Sequence, residues 1–299
     1  MIVVIGSINL DLIATTGRLP APGETVAGKD FNTAAGGKGA NQALAALRAG
    51  GDMRLFGAVG RDAFADQALA ELRSDGADLT GVTAVNGSTG IAVILVGGAG
   101  ENVIVVIPGA NGAVGAERVE AALAGCGAGD ILLLQQEVPT ATLDKALDMA
   151  RSKGMRALFN TAPFTDDTAH LAAKADIVIA NETEFDALIR TPAGDDRLSA
   201  MREVAAANTQ TIIVTLGADG ALAVTPDGEK LEVPAPDITP VDTVGAGDTF
   251  CGYLAAALEK EADLKTALAR AVTAGSLACL QPGAQPAIPY KRDVDAALR

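Results

Sequence analysis

Aromatic and imidazole chemistry is scarce in this chain, which has no Trp, two Tyr, seven Phe and one His in 299 residues. The lone imidazole, His170, lies in DDTAHLAAKA, patterned as a surface helix, so catalysis through a histidine-centred triad is not expected. Cysteine is equally sparse. Cys126, Cys251 and Cys279 are scattered in apolar surroundings without CxxC spacing, which argues against a disulfide frame and a zinc site and fits a reducing cytoplasm. Long apolar runs are missing too. The opening IVVIG passes at once into Ser7, Asn9 and Asp11, and no stretch approaches the roughly 18 residues that a bilayer span or signal sequence would call on. A soluble, cytoplasmic protein is the expectation. Basic charge is also short: Lys plus Arg is 23 against 37 Asp plus Glu, a net −14. That balance excludes broad electrostatic attraction to nucleic acid or anionic membrane. A polyphosphate ligand would have to be held locally, by backbone dipoles, a metal ion and a few basic groups.

What the chain does have is alternation. Short apolar runs, IVVIG (2–6), MRLFGAV (53–59), DILLLQ (130–135), MRALFN (155–160), DIVIAN (176–181) and TIIVTLG (211–217), are separated by Ala/Leu-rich helical patterns. Among the latter are ANQALAALRAG, FADQALAELRSDG, TATLDKALDMARSKG and LSAMREVAAAN. Uniformly apolar strands bounded by helices predict a parallel sheet covered on both faces. Residues 12–35 and 88–107 break this rhythm, and the second reads as two strands joined by GGAGEN. Both are read as insertions that build one small β layer over the strand ends, placed to act as a lid on a single domain spanning 1–299.

Several loops at predicted strand ends are polar or rich in glycine. Asn9 and Asp11 follow the first strand, and Asp11 can accept bonds from two adjacent hydroxyls. AAGGKGANQ (34–42) admits close backbone approach and offers Lys38 and Asn41 as donors, while QQEVP places Glu137 just past another strand. In DTVGAGDTFCG, Asp248 directly follows a Gly245-Ala246-Gly247 turn where a helix begins. Such a turn exposes N–H donors to an anion, with a carboxylate beside it. Each stretch also has a plain structural reading: a turn at Asn9 and Asp11, a flexible GGKG loop, a surface charge at Glu137, a helix N-cap at Asp248. Two other motifs fail. GETVAGK (23–29) resembles a P-loop, but Asp30 stands where a magnesium-binding hydroxyl belongs and no helix follows; no GxGxxG succeeds a strand.

AGGKGANQA, NETE (181–184), TLGADG (215–220) and DTVGAGDTFCG, in this order, resemble the two signatures and intervening motifs of the ribokinase-like (PfkB) family of sugar and nucleoside kinases. The likeness runs from GSINLD at residue 6 to GAQPAIP at 283–289. It implies a three-layer αβα sandwich with a central, mostly parallel sheet and a small β-sheet lid. It also implies ATP as phosphoryl donor, with Mg²⁺. Asp248 is then the general base toward the primary hydroxyl of the sugar, and Gly245, Ala246 and Gly247 form an anion hole. Asn9, Asp11, Gly37, Lys38, Asn41 and Glu137 match sugar-binding positions; Asn181 and Glu184 match positions that organise Mg²⁺ and phosphate. Thr215, Gly217 and Gly220 match the nucleotide loop. A monovalent-cation (K⁺) site is implied at Asp242 with the carbonyls of Val244, Ala278, Gln281 and Gly283, although Ala287 stands where Ser is common. Val272 replaces a polar residue usual near the adenine, and Thr161 a usual proline. GSINLD, GGKGAN and QQEVP are most similar to members that phosphorylate D-ribose to ribose 5-phosphate, and a homodimer joined through the lid is implied.

Four rivals stand beside that reading. A nucleoside kinase needs a stacking slot, for which Phe31, Phe159 and Phe164 are candidates. A phosphosugar kinase needs more cationic groups than Lys38 supplies. A sugar-binding module without catalysis is disfavoured by the intact GAGD turn, and a nicotinamide oxidoreductase by the missing dinucleotide fingerprint.

Overall fold

A computed structural model describes the chain apart from Ala99, Ala193 and the side chain of Asp195. In chain order its strands are β1 (Ile2–Ile5), β2 (Asn9–Thr16), β3 (Gly28–Gly36), β4 (Met53–Val59), β5 (Val82–Ala84), β6 (Gly90–Val96) and β7 (Asn102–Ile107). Six more follow: β8 (Ile131–Leu134), β9 (Arg156–Asn160), β10 (Ile177–Asn181), β11 (Thr211–Thr215), β12 (Ala221–Val224) and β13 (Lys230–Val233). Nine of them form one sheet in the order β13-β12-β11-β10-β9-β8-β1-β4-β5. From β11 to β5 all neighbours are parallel; β12 and β13 are an antiparallel hairpin added at one edge. The sheet is therefore mostly parallel, and the edge hairpin and the short β5 are additions to the runs expected from sequence.

Alternation along the strands divides the core into two halves. Ile2, Val4, Ile131, Leu133 and Leu158 point to one face, and Val3, Ile5, Leu132, Leu134 and Phe159 to the other. Helices Lys38–Arg48, Ala246–Glu259 and Leu264–Ala278 cover the first face; Thr140–Lys153, Glu182–Ile189 and Arg197–Asn208 cover the second. This is the αβα sandwich. Its helices pack closely because their contact positions are small. At Gly252 an added Cβ would lie 2.5 Å from both the Gln42 carbonyl oxygen and the Ala45 Cβ, so Ala246–Glu259 rides directly on Lys38–Arg48. The stretch FADQALAELRSDG, expected as one helix, is two, Ala63–Ala68 and Ala70–Ser74, parted at Leu69 (φ −101°, ψ 2°).

The second sheet has the order β3-β2-β6-β7. Residues 12–35 and 88–107 supply most of it, and it starts at Asn9. The GGAGEN turn between β6 and β7 contains Ala99, which lies outside the described residues. All chain crossings between the two sheets fall on one row: Asn9 pairs with Gly36 on one side and Gly90 on the other, and Ile91 next to it pairs with Ile107 at the end of β7. The outer part of this sheet is bare, with Phe31 on β3 61% exposed and every residue of β7 exposed. Among the described residues no helix is long and apolar enough to cross a membrane, and all three cysteines are free.

Candidate active site

Parallel strands bring their carboxyl ends to one rim, and the polar residues singled out above gather there. Gly6 and Ser7 follow β1, Gln135 to Glu137 follow β8, and Asn160, Asn181 and Thr215 end β9, β10 and β11. Strand order reverses between β1 and β8, because the chain builds outward to β4 and β5 and then returns to build β8 to β11 on the other side. Crevices at such reversals are where open α/β sheets hold ligands.

Gly37 starts the Lys38–Arg48 helix at φ 87°, and a Cβ there would meet Asn9 N at 2.7 Å and the Ser7 carbonyl oxygen at 2.9 Å. Glycine is required at this point by conformation and by contact alike. The start of this helix is capped from another strand. Glu137 Oε2 accepts from the Lys38 N–H at 3.0 Å and from the Ser7 hydroxyl, whose oxygen in turn accepts from the Gly39 N–H at 3.2 Å. Glu137 is thus no free surface charge. Asn9 is buried, its Oδ1 held at 2.7 Å by Asn111 Nδ2. Asn111 also pairs with both backbone groups of Ile8, fixing the crossing from β1 to β2. Asp11 stands over Gly36, where a Cβ would fall 2.5 Å from its carboxylate oxygen. Burial, with the charges of Glu137 and Asp248 adding to it, pushes the Asp11 carboxyl up to about 6.

Asp248 lies in the first turn of the Ala246–Glu259 helix and is 6% exposed. Its carboxylate does not cap that helix, contrary to the plain reading of the sequence. Oδ2 accepts from Asn41 Nδ2 and Oδ1 from Gln42 Nε2, each at 2.9 Å. No side chain caps the helix start, so the N–H groups of its first turn have only the dipole behind them. Gly245 makes this turn at φ 77°, Gly247 has open space where a side chain would be, and the Ala246 N–H reaches back to the Thr243 carbonyl at 3.3 Å. Lys38 shares the space: the charge of Asp248, with those of Glu137 and Glu184, raises its ammonium group against the lowering effect of burial. One cation among acids, beside a helix start that no side chain caps, is an arrangement that binds an anion and a polyol together.

Along the rim, Asn181 and Glu184 form a capping box. Glu184 N–H donates to Asn181 Oδ1 at 2.8 Å and Asn181 N–H to Glu184 Oε2 at 3.1 Å, while the Thr161 hydroxyl donates to the same Oε2 at 2.8 Å. Thr161, at the position where proline is usual, therefore serves as a donor. Thr215 is tied to the Ala180 carbonyl at 3.4 Å, and a short 3-10 turn begins at Gly217 and is followed by Gly220. A Cβ at Gly220 would meet the Val233 carbonyl oxygen at 2.0 Å, so this glycine is dictated by the neighbouring strand; the space at Gly217 is open. Asp242 joins the loop before the anion turn to the chain end of the Leu264–Ala278 helix, accepting from Val244 N–H at 3.0 Å and Gly283 N–H at 2.8 Å. Val241 and Asp242 N–H both donate to the Cys279 carbonyl, at 2.8 and 3.2 Å, so the loop carrying Val244 adjoins the helix end at Ala278 and the loop after it with Gln281 and Gly283. Val272 and Ala287 are buried. Among the described residues no cluster of three His, Cys, Asp or Glu is placed to hold a metal. A cavity of about 660 Å³ lies elsewhere, lined by Leu188, Ile189, Val204 and Gln210 and by none of these groups.

Three more buried amides meet in this neighbourhood, and two of them, Gln42 and Gln135, carry no signal in the sequence. Gln42 is wholly buried and bonded to Asp248; Gln135 and Asn160 are bonded to Gln42. Gln42 comes from the Lys38–Arg48 helix, Gln135 from just past β8 and Asn160 from the end of β9, so they meet where that helix packs on the sheet rim.

Residues 1–291 match the family model described as pfkB family carbohydrate kinase. A ribokinase of Schizosaccharomyces pombe is 34% identical over 99% of this chain and 97% of its own, and a deoxyribokinase of Salmonella typhi 35% identical over 96% and 95%. The solved structure of Arabidopsis thaliana ribokinase complexed with ribose and ATP superposes with a TM-score of 0.90 at 29% identity, covering 100% of this chain and 98% of that one. Sequence, sheet order and rim chemistry agree, and the chain belongs to the pfkB family of carbohydrate kinases, as an ATP-dependent sugar kinase.

Proposed function

We propose that the acceptor is D-ribose, phosphorylated by ATP at its primary hydroxyl to ribose 5-phosphate, with Asp248 as general base. The observation that carries this reading is a buried Asp248, both oxygens fixed by amide donors, in the uncapped glycine turn beside Asp11. Nucleophile and phosphorus must meet at one place, and this turn offers a proton acceptor and anion-binding amides at Gly245, Ala246 and Gly247 within one helical turn. Asn9, Asp11, Gly37, Lys38, Asn41 and Glu137 hold the remaining hydroxyls. Asn41 Oδ1 is buried with no partner among the described residues, an acceptor suited to a sugar hydroxyl.

Thr215, Gly217 and Gly220 form the nucleotide side, with Gly247 at the transferring phosphoryl. Glu184 suits Mg²⁺ held through water, because one oxygen is fixed by Asn181 and Thr161 while the half-buried carboxylate keeps acceptor capacity to spare. When bound, the ion supplies charge neutralisation on the phosphates. Asp242 and the carbonyls of Val244, Ala278, Gln281 and Gly283 suit a monovalent cation such as K⁺, since the carboxylate already draws both loops together. The small sheet acts as a lid that excludes water, a second copy covers its bare β7 edge, and the protein works in the cytoplasm.

A second acceptor, 2-deoxyribose, is favoured by the similarity to the Salmonella typhi deoxyribokinase. Against it stands Asp11, whose two oxygens suit a pair of adjacent hydroxyls. The deciding experiment measures ADP release with ribose, 2-deoxyribose, fructose and adenosine, each with and without potassium. Ribose is expected to give the highest kcat/KM; a preference for 2-deoxyribose or adenosine overturns the assignment.

A further inference from the structure

Gln42 Nε2 donates to Asp248 Oδ1 at 2.9 Å and to Asn160 Oδ1 at 3.2 Å, while its Oε1 accepts from Gln135 Nε2 at 2.7 Å. A buried carboxamide can lie two ways round, and these neighbours leave it one. Turned over, its oxygen would face a carboxylate oxygen and a carbonyl oxygen, and its NH₂ would face the NH₂ of Gln135. Asn160 is itself fixed by donating to the Ile179 carbonyl at 3.2 Å. Gln135 accepts a cost for its part: its Oε1 is buried with no partner among the described residues, pressed against Gly6, where a Cβ would come within 2.2 Å. An amide serving only to fill space has no reason to leave that acceptor bare.

Asn41, the other donor to Asp248, is also assigned to the sugar, so it is shared once the sugar binds. Gln42 is 0% exposed and has no such second duty. We infer that Gln42 is a positioning residue that fixes the rotation of the Asp248 carboxylate, and that Gln135 sets the direction in which Gln42 points. This rests on the reading of Asp248 as general base. A carboxylate offers about four lone-pair sites. With one on each oxygen occupied by Asn41 and Gln42, a remaining pair is held toward the acceptor hydroxyl.

The test is a double-mutant cycle on the full chain, using the best sugar of the ADP-release panel. Gln42→Met is expected to lower kcat about 10- to 100-fold, the loss of one hydrogen bond to a charged group, with KM for sugar and ATP changed less than about threefold. Gln135→Met should lower kcat by itself yet add nothing in the Gln42→Met background, since it acts through that side chain. Additive losses, or a Gln42→Met variant with the kcat of the parent, overturn the inference. Gln42→Glu, nearly isosteric, provides a second reading if the Met variant fails to fold. Its kcat relative to the parent should rise as pH falls, because a protonated carboxyl donates where a carboxylate repels; a pH-independent ratio also overturns the inference. Failure of the underlying reading looks different: a fully active Asp248→Asn removes the general base, whereas an inert Asp248→Asn beside a fully active Gln42→Met removes only the positioning role.

Discussion

Asp248, buried, and Asp11, half-buried, share one crevice, but they call for different tests. Asp248→Asn keeps the volume of the side chain and one acceptor oxygen, while removing the proton acceptor. Turnover should fall by about 10²- to 10⁴-fold, the usual contribution of a general base. Sugar and nucleotide binding, measured by calorimetry, should persist. For Asp11 the expected signature is pH dependence in KM. Its carboxyl titrates near 6, so lowering pH from 7.5 to 5 converts an acceptor of two hydroxyl bonds into a donor, and KM for the sugar should climb through that range. Stability moves in the opposite sense. A carboxyl whose folded pKa is raised binds its proton more tightly when folded, so its charge destabilises the fold progressively as pH rises from about 4 to about 6, and fully above that. Asp11→Asn should therefore shift the urea midpoint upward at pH 7.5, by up to roughly 3 kcal/mol of stability, and leave it nearly unchanged at pH 4, while sugar affinity is lost.

At the scale of elements, the approach of two helices is what brings Gln42 and Asp248 within reach of one another. Gly252 stands one turn beyond Asp248 on the same face, and it is there that Ala246–Glu259 touches the backbone of Lys38–Arg48. Gly252→Ala would force the helices apart against backbone that cannot give way easily. A loss of about 1–3 kcal/mol in denaturant unfolding is expected, the range for overpacked cores, accompanied by a drop in kcat. Unchanged stability would mean that the helices have room to spare. Elements of this kind are only partly legible in the sequence. MRLFGAV marks β4 to the residue because its ends are set by turns on both sides. Asp248 and the glycines announce the anion turn because special backbone conformations demand special residues. The β12–β13 hairpin was not anticipated, since short apolar runs at a sheet edge look like those in any loop. Gln42 and Gln135 were passed over for a related reason: an amide's role is set by what lies across the interface, and spacing along the chain carries no trace of it. Thr161 stood out as a departure, but its bond to Glu184 depends on β9 and β10 being neighbours.

For the whole molecule, a net charge of −14 makes Lys38, set among Asp248, Glu137 and Glu184, a local exception, and the small sheet carries an unbroken run of exposed apolar residues, Val103 to Ile107. Val105 on β7 is 56% exposed in a run of equally bare aliphatic residues. An uncovered edge strand of this kind invites pairing with another chain. Light scattering should find two 30.0 kDa chains associated in the parent. Val105→Asp should give the mass of one chain; a parent that is monomeric at micromolar concentration would show that the patch has another role.

The row at Asn9, Gly36 and Gly90 has a mechanical meaning. From Asn9 to Thr15 and Val96, the paired strands run out at about 3.3 Å per residue, an arm of roughly 20 Å. Swinging the outer sheet by about 10° about that row as an axle would carry its rim some 3 to 4 Å, while the groups on the axle barely shift. In the proposed lid role the sheet would thus work like a door whose hinge pins are Asn9 and its partners, with the atoms nearest the chemistry moving least.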